Sequence, residues 1–245
     1  MKKLNPNVAR PTAVATLIIC LMIAMMFSRL DAPQPVIGEQ AQEAYDQAQE
    51  YLDTTPFESD ELFKVDQGDM VYFPKKEALC TVGYIDKEAK RAYLSGHCMV
   101  DGVGSDVYLM NNDRVVAPSI GKIYRHPKYG PERWTRLLVK DLGYVQLNDT
   151  TIGENIFSGD TTLSKEEVKL GDGICTYGGT THETKCGTIY RMFPKFFETN
   201  IELKPGDSGG PMWAVKPDGS PRGLIGINSF WQGDHHSGAA WMEKW

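Results

Sequence analysis

Between Lys204 and Trp213 the chain reads KPGDSGGPMW, with the hydroxyl of Ser208 held between Gly206-Asp207 and Gly209-Gly210. Glycine lets backbone bend tightly and approach other groups closely, so this stretch presents one side chain at a turn with room around it. A serine hydroxyl is a weak nucleophile until a base takes its proton, and the base needs an orienting partner, usually a carboxylate. Five histidines are available: His97, His126, His182, His235 and His236. His97 has the most constrained setting, LSGHC, at the end of a strand-like run and beside Cys98. Among the acids, Asp141 in VKDLGYVQL is a lone carboxylate inside an apolar run. An unpaired charge buried there is costly, and an imidazole N–H would satisfy it. The adjacent histidines of GDHHSG read as a surface loop, because no ligand cluster at metal spacing accompanies them.

The elements that must position these groups are short. From Val65 onward MVYF, CTVGYI, RAYLSG, DVYLM, RLLVKDLGYVQL, GTIYRMF and RGLIGINSF are rich in β-branched and aromatic residues. Gly, Pro, Asn and Asp separate them, and no long amphipathic helix intervenes, so the spacing predicts an all-β barrel or sandwich. This domain is expected to span residues 63–245.

Two different textures precede it. Lys2, Lys3 and Arg10 stand before an apolar run, Ala13 to Phe27. Residues 1–34 therefore read as an export signal or as an uncleaved membrane anchor, with everything after them outside the cytoplasm. Residues 35–62 include EQAQEAYDQAQEYL, a polar helical pattern with too thin an apolar stripe for its own core. It reads as a linker or pro-segment. A net charge of −6 argues against general nucleic-acid binding, which needs a basic surface.

Four cysteines lie in the β-rich part: Cys80, Cys98, Cys175 and Cys186. An even number behind an export signal reads as two disulfides. Four cysteines permit three pairings, of which the local one joins Cys80 to Cys98 and Cys175 to Cys186. Without a C-x-x-C pair, zinc is a poor alternative. Cys20, in the apolar run, has bulky Ile18 and Ile19 before it and reads as an apolar residue.

LSGHC, KDLGYVQL and PGDSGGP, in that order, resemble the histidine, aspartate and serine segments of the chymotrypsin-like serine proteases. GICTYGGTTHETKCGTI resembles the bacterial branch typified by α-lytic protease and the Streptomyces griseus proteases. The likeness spans about Val65 to Trp245. It implies two antiparallel six-stranded β-barrels with the site in the cleft between them, and a Cys80–Cys98 bond holding the histidine loop. It implies a serine endopeptidase with Ser208 as nucleophile, His97 as base and Asp141 as its orienting acid. The N–H groups of Gly206 and Ser208 form the oxyanion hole, and Ser229 in GINSFW supports Asp141. The residue six before the serine, Glu202, falls at the base of the primary pocket, with Phe230 and Trp231 on its wall. Neither cofactor nor metal is implied; the partners are protein or peptide substrates, the domain acts as a monomer, and the membrane is met only through the N-terminal segment.

Two departures bear on the serine loop. No IVGG-type N-terminus lies near Val65, and the position after Cys175, often arginine in the bacterial branch, is Thr176. The residue that meets Asp207 is therefore not legible. The alternative function is a catalytically inactive homologue serving as an extracellular binding module. A structural surface protein would carry repeats or a long stalk, and the sequence has neither.

Overall fold

The structure, a computed structural model, describes residues 64–75, 77–99, 102–111, 114–115, 119–125, 141–149, 151–231 and 236–242. The N-terminal segment, the linker helix, the expected boundary at Phe63, His126 and His235 lie outside the described residues. Among the described residues no helix is long and apolar enough to cross a membrane.

The fold is all-β, as the sequence predicts. Among the described residues the first eight strands are β1 (Met70–Phe73), β2 (Ala78–Thr81), β3 (Tyr84–Asp86), β4 (Arg91–Leu94), β5 (Asp106–Asn111), β6 (Arg114–Val115), β7 (Gly121–Arg125) and β8 (Gly143–Leu147). The last six are β9 (Gly173–Gly178), β10 (Glu183–Met192), β11 (Phe196–Thr199), β12 (Pro211–Val215), β13 (Pro221–Trp231) and β14 (Ser237–Trp241). The latter six close into a barrel in the order β10-β11-β14-β13-β12-β9, the expected six-stranded unit.

The first unit differs in detail from a six-stranded barrel. Its strands form an eight-stranded sheet of order β2-β1-β5-β7-β8-β4-β3, with β6 paired to β5. The two ends of this path, β2 and β3, are consecutive in the chain and separated only by Val82 and Gly83. So short a connection forces the sheet to curl until its edges meet. The wrap is completed by the covalent chain, not by a hydrogen-bonded ladder, which also covers edges that would otherwise invite association.

Each unit has its own core. Val71, Phe73, Ile85, Leu94, Val107, Ile123 and Val145 fill the first, and Ile174, Ile189, Phe197, Met212, Ile225 and Trp241 fill the second. The alternation of buried and half-buried residues along β8 is that of a strand with one face inward. A third cluster joins the units: Tyr84, Tyr93 and Leu142 from the first pack on Leu224 and Ile227 of β13. The segment connecting the units is pinned by Gln67, which is fully buried. Its amide N–H groups donate to the Gly83 carbonyl and the Ser158 hydroxyl, both at 2.8 Å. Its amide oxygen accepts the N–H groups of Phe157 and Ser158 at 3.0 and 2.9 Å. All four hydrogen-bonding positions of this side chain are thereby used, which is what makes its burial tolerable.

Candidate active site between the two β-units

His97 lies in the 3₁₀ turn Gly96–Met99 that follows β4. The disulfide from Cys98 to Cys80 on β2 ties this turn to the sheet edge; the bond spans 18 residues of sequence. The second disulfide, Cys175–Cys186, spans 11 residues and joins directly opposed positions of β9 and β10. Both are the local pairs.

Asp141 directly precedes Leu142, which is wholly buried in the joint between the units. Its carboxylate accepts the backbone N–H of His97 at 2.8 Å and meets Nδ1 of the same residue at 2.7 Å. An ionised carboxylate only accepts, so Nδ1 carries the proton and Nε2 is left as the acceptor. Ser229 of β13 donates its hydroxyl to Asp141 Oδ2 from the second barrel. The register of β13 against β14 passes from Asn228↔Ala239 to Phe230↔Gly238, so Ser229 is the extra residue of a β-bulge. A bulge re-aims a side chain, and here it turns a hydroxyl towards the first unit. Burial alone pushes the Asp141 carboxyl up; the His97 imidazole, its hydrogen bonds and that of Ser229 outweigh this and hold it below the usual carboxylate range.

The serine loop is built by its own backbone and by its neighbours. Asp207 N–H donates to Lys204 O at 3.1 Å, Gly210 N–H to Asp207 O at 3.1 Å, and Gly209 N–H to Asn228 O at 2.8 Å. Gly206 has φ +91°, a conformation that a side chain would strain, and a Cβ there would run into the Thr180 hydroxyl. Among the described residues, the N–H groups of Gly206 and Ser208 have no acceptor, although their neighbours are all engaged. Two unused donors on either side of Asp207, one of them on the serine itself, are of the kind that binds a carbonyl oxygen as it gains negative charge. The loop faces the histidine turn: Thr81 N–H donates to the Ser208 carbonyl at 2.8 Å, and that carbonyl lies 4.0 Å from Cys98 Sγ.

The structure supplies the partners of Asp207 that the sequence did not reveal. The carboxylate, 1% exposed, accepts Lys204 N–H at 3.0 Å and Thr181 N–H at 3.2 Å. The Thr181 hydroxyl lies 3.2 and 3.3 Å from its two oxygens. A Cβ on Gly178 would collide with the same carboxylate, so only glycine leaves the space. All these direct partners are neutral. Burial accordingly pushes the Asp207 carboxyl up, with the Lys204 and Thr181 bonds and the Lys185 charge pulling the other way. Thr176 is engaged elsewhere, its hydroxyl donating to Pro211 O at 2.8 Å. The signal for Thr181 was the GGTT turn of the β9–β10 hairpin, but nothing in a threonine's type marks it as a carboxylate partner.

Of the pocket residues expected from sequence, Glu202 is half-buried between β11 and the serine loop, and its carbonyl lies 3.4 Å from Lys185 Nζ. The Phe230 ring packs over Gly238 and edge-on to Phe196 at 5.4 Å. The Trp231 side chain lies outside the described residues. His182 meets Tyr177 OH at 3.4 Å, and exposed His236 meets the edge of Tyr190. Among the described residues the one cluster with metal-ligand geometry is Cys80, His97 and Cys98. Its two sulfurs are joined to each other, so thiolate ligation is precluded.

No protein-family model matches the chain. It is 33% identical over 161 residues to the uncharacterized protein Rv1815 of Mycobacterium tuberculosis (strain ATCC 25618 / H37Rv), covering 63% of this chain and 70% of that protein. It is 32% identical over the same length to the uncharacterized protein MT1863 of the CDC 1551 / Oshkosh strain, with the same coverage of 63% and 70%. Among solved structures it is similar to a Nocardiopsis protease, with 20% identity and a TM-score of 0.49 over 74% of this chain and 92% of that one. It is also similar to the protease Anisep from Arthrobacter nicotinovorans, with 15% identity and a TM-score of 0.46 over 74% of this chain and 91% of that one.

Proposed function

This chain belongs to the family of the mycobacterial protein Rv1815, and from its own site we propose that it is a serine endopeptidase acting through Ser208, His97 and Asp141. The observation that carries this reading is the Asp141 carboxylate. It receives His97 twice and Ser229 once, and so fixes the imidazole with its Nδ1 proton toward the carboxylate and Nε2 as the acceptor nitrogen.

In the proposed reaction Ser208 Oγ attacks the substrate carbonyl carbon while His97 Nε2 takes the hydroxyl proton. The carbonyl oxygen becomes an oxyanion and accepts the Gly206 and Ser208 N–H groups. Asp141 steadies the imidazolium without itself taking the proton. The imidazolium then protonates the departing amine, the C–N bond breaks, and an ester to Ser208 remains. Water adds to that ester by the same steps, releasing the acid and restoring Ser208. The disulfides support an oxidising compartment outside the cytoplasm, in keeping with residues 1–34 as signal or anchor.

A fluorophosphonate probe tests the reading, with wild type beside Ser208→Ala. Wild type should label at Ser208 and cleave peptides, and the variant should do neither. Equal labelling and cleavage by both would refute the assignment of Ser208; silence from both would favour a binding module on this fold.

A further inference from the structure

We propose that Thr81 is a positioning residue of the serine loop, holding the carbonyls of both residues whose N–H groups face the developing oxyanion. The proposal rests on the protease reading above. Thr81 ends β2 and is wholly buried. Its N–H donates to the Ser208 carbonyl at 2.8 Å, and its hydroxyl donates to the Gly206 carbonyl at 2.8 Å. The same hydroxyl oxygen accepts the Gly179 N–H at 2.9 Å. A hydroxyl has one proton to give and lone pairs to receive, so these bonds do not compete. Thr81 thereby joins three pieces of chain: the edge of the first unit, the β9–β10 turn and the serine loop.

The loop needs such a holder. Gly206 permits its strained conformation but does not enforce it, because glycine moves freely between backbone regions. The pinned carbonyls belong to the Gly206–Asp207 and Ser208–Gly209 peptides, which flank the peptide carrying the Ser208 N–H. The first of them directly follows the peptide carrying the Gly206 N–H, so fixing both limits the backbone rotation that aims those two N–H groups. The Asp207 carboxylate holds the same segment from its other side through Thr181 and Lys204. Thr81 also follows Cys80, whose disulfide leads to Cys98 and so to His97. One buried residue thus sets the nucleophile's loop relative to the turn that carries the base. A β-branched side chain suits this, since few rotamers are open to it.

The test uses the full chain carrying Thr81→Val, which keeps the shape and removes the hydroxyl, with Thr81→Ser as the conservative rescue. Thr81→Ala replaces the valine variant should that not fold. In Thr81→Val, kcat is expected to fall about 10- to 100-fold with KM near wild type, the scale of an ångström-sized misplacement at the reacting centre. Affinity for a peptide aldehyde, which forms a tetrahedral adduct, falls by the same factor, while affinity for the matching peptide acid is unchanged. Hydrogen exchange of the amides from Gly206 to Gly210 quickens in Thr81→Val and not in Thr81→Ser. Thr81→Ser stays within about threefold of wild type in every readout, because the hydroxyl is restored. Wild-type kcat and aldehyde affinity in the hydroxyl-free variant overturn the proposal, whatever the exchange does, as does a loss confined to KM. If wild type neither cleaves peptides nor takes a fluorophosphonate, the protease reading fails. The exchange comparison then decides alone whether Thr81 holds the loop, and unchanged exchange refutes it.

Discussion

Ser229→Ala removes a single donor from the Asp141 carboxylate and leaves the two His97 bonds in place. Ser229 is 6% exposed, so bulk water cannot replace its hydroxyl. A hydrogen bond to a charged group contributes about 1.5–3 kcal/mol, and the partial exposure of the Asp141 side chain lowers the expectation to about 1–2 kcal/mol. The sign with pH follows from a carboxyl held below its ordinary range. The ionised form stabilises the fold above the unfolded value of about 3.9, and that stability is lost as pH falls through the lower folded value. Ser229→Ala should therefore cost about 1–2 kcal/mol in denaturant unfolding at pH 7 and less under acid conditions where the folded carboxyl takes up its proton. If about 1 kcal/mol of this reaches the barrier, kcat falls about fivefold. On the proposed mechanism Asp141→Asn, which offers the wrong partner to the imidazole, should cost far more, about 10⁴-fold in kcat. The decisive comparison is the double variant. If Ser229 works through Asp141, adding Ser229→Ala to Asp141→Asn costs little further. The full stability and rate losses persisting in the Asn background, or a stability loss independent of pH, would refute the reasoning.

Three further outcomes are expected. Asp69, whose carboxyl is pushed up to about 6 chiefly by burial, has a folded value above its unfolded one, so its contribution to stability is present below about 3.9 and lost as pH rises through 6. Asp69→Asn mimics the protonated form and should stabilise by about 1–2 kcal/mol at pH 8 but not at pH 4, after discounting for partial exposure; unfolding curves at both pH values check this. Non-reducing peptide mapping should recover Cys80 with Cys98 and Cys175 with Cys186, and a paired serine replacement of Cys80 and Cys98 should lower stability by about 3 kcal/mol through the freed chain, with free thiols in exported protein contradicting the assignment. In a positional peptide library, Glu202→Gln should reduce cleavage after Lys or Arg relative to Leu, and an unchanged ratio would remove Glu202 from the primary pocket.

Ser208, His97 and Asp141 stood out as candidates because each breaks its surroundings locally: a hydroxyl ringed by glycine, an imidazole beside a cysteine, a charge inside an apolar run. The strands were readable for a similar reason, since β-branched runs and turn residues act over a few positions. The partners of Asp207 were not readable. Thr181 lies 26 residues away, and a neutral donor leaves no charge signature to look for. Thr81 stands 125 residues from the glycine whose carbonyl it binds, in a strand where threonine is unremarked. The resemblance implied a barrel for the first unit, but its closure through Val82 and Gly83 was hidden, because that depends on a strand order known only after pairing. Residue type and near neighbours determined which groups are the candidates for chemistry here. Which groups hold them in place was decided only by the tertiary structure, because hydrogen bonds between distant neutral groups depend on where the chain brings them and not on what they are.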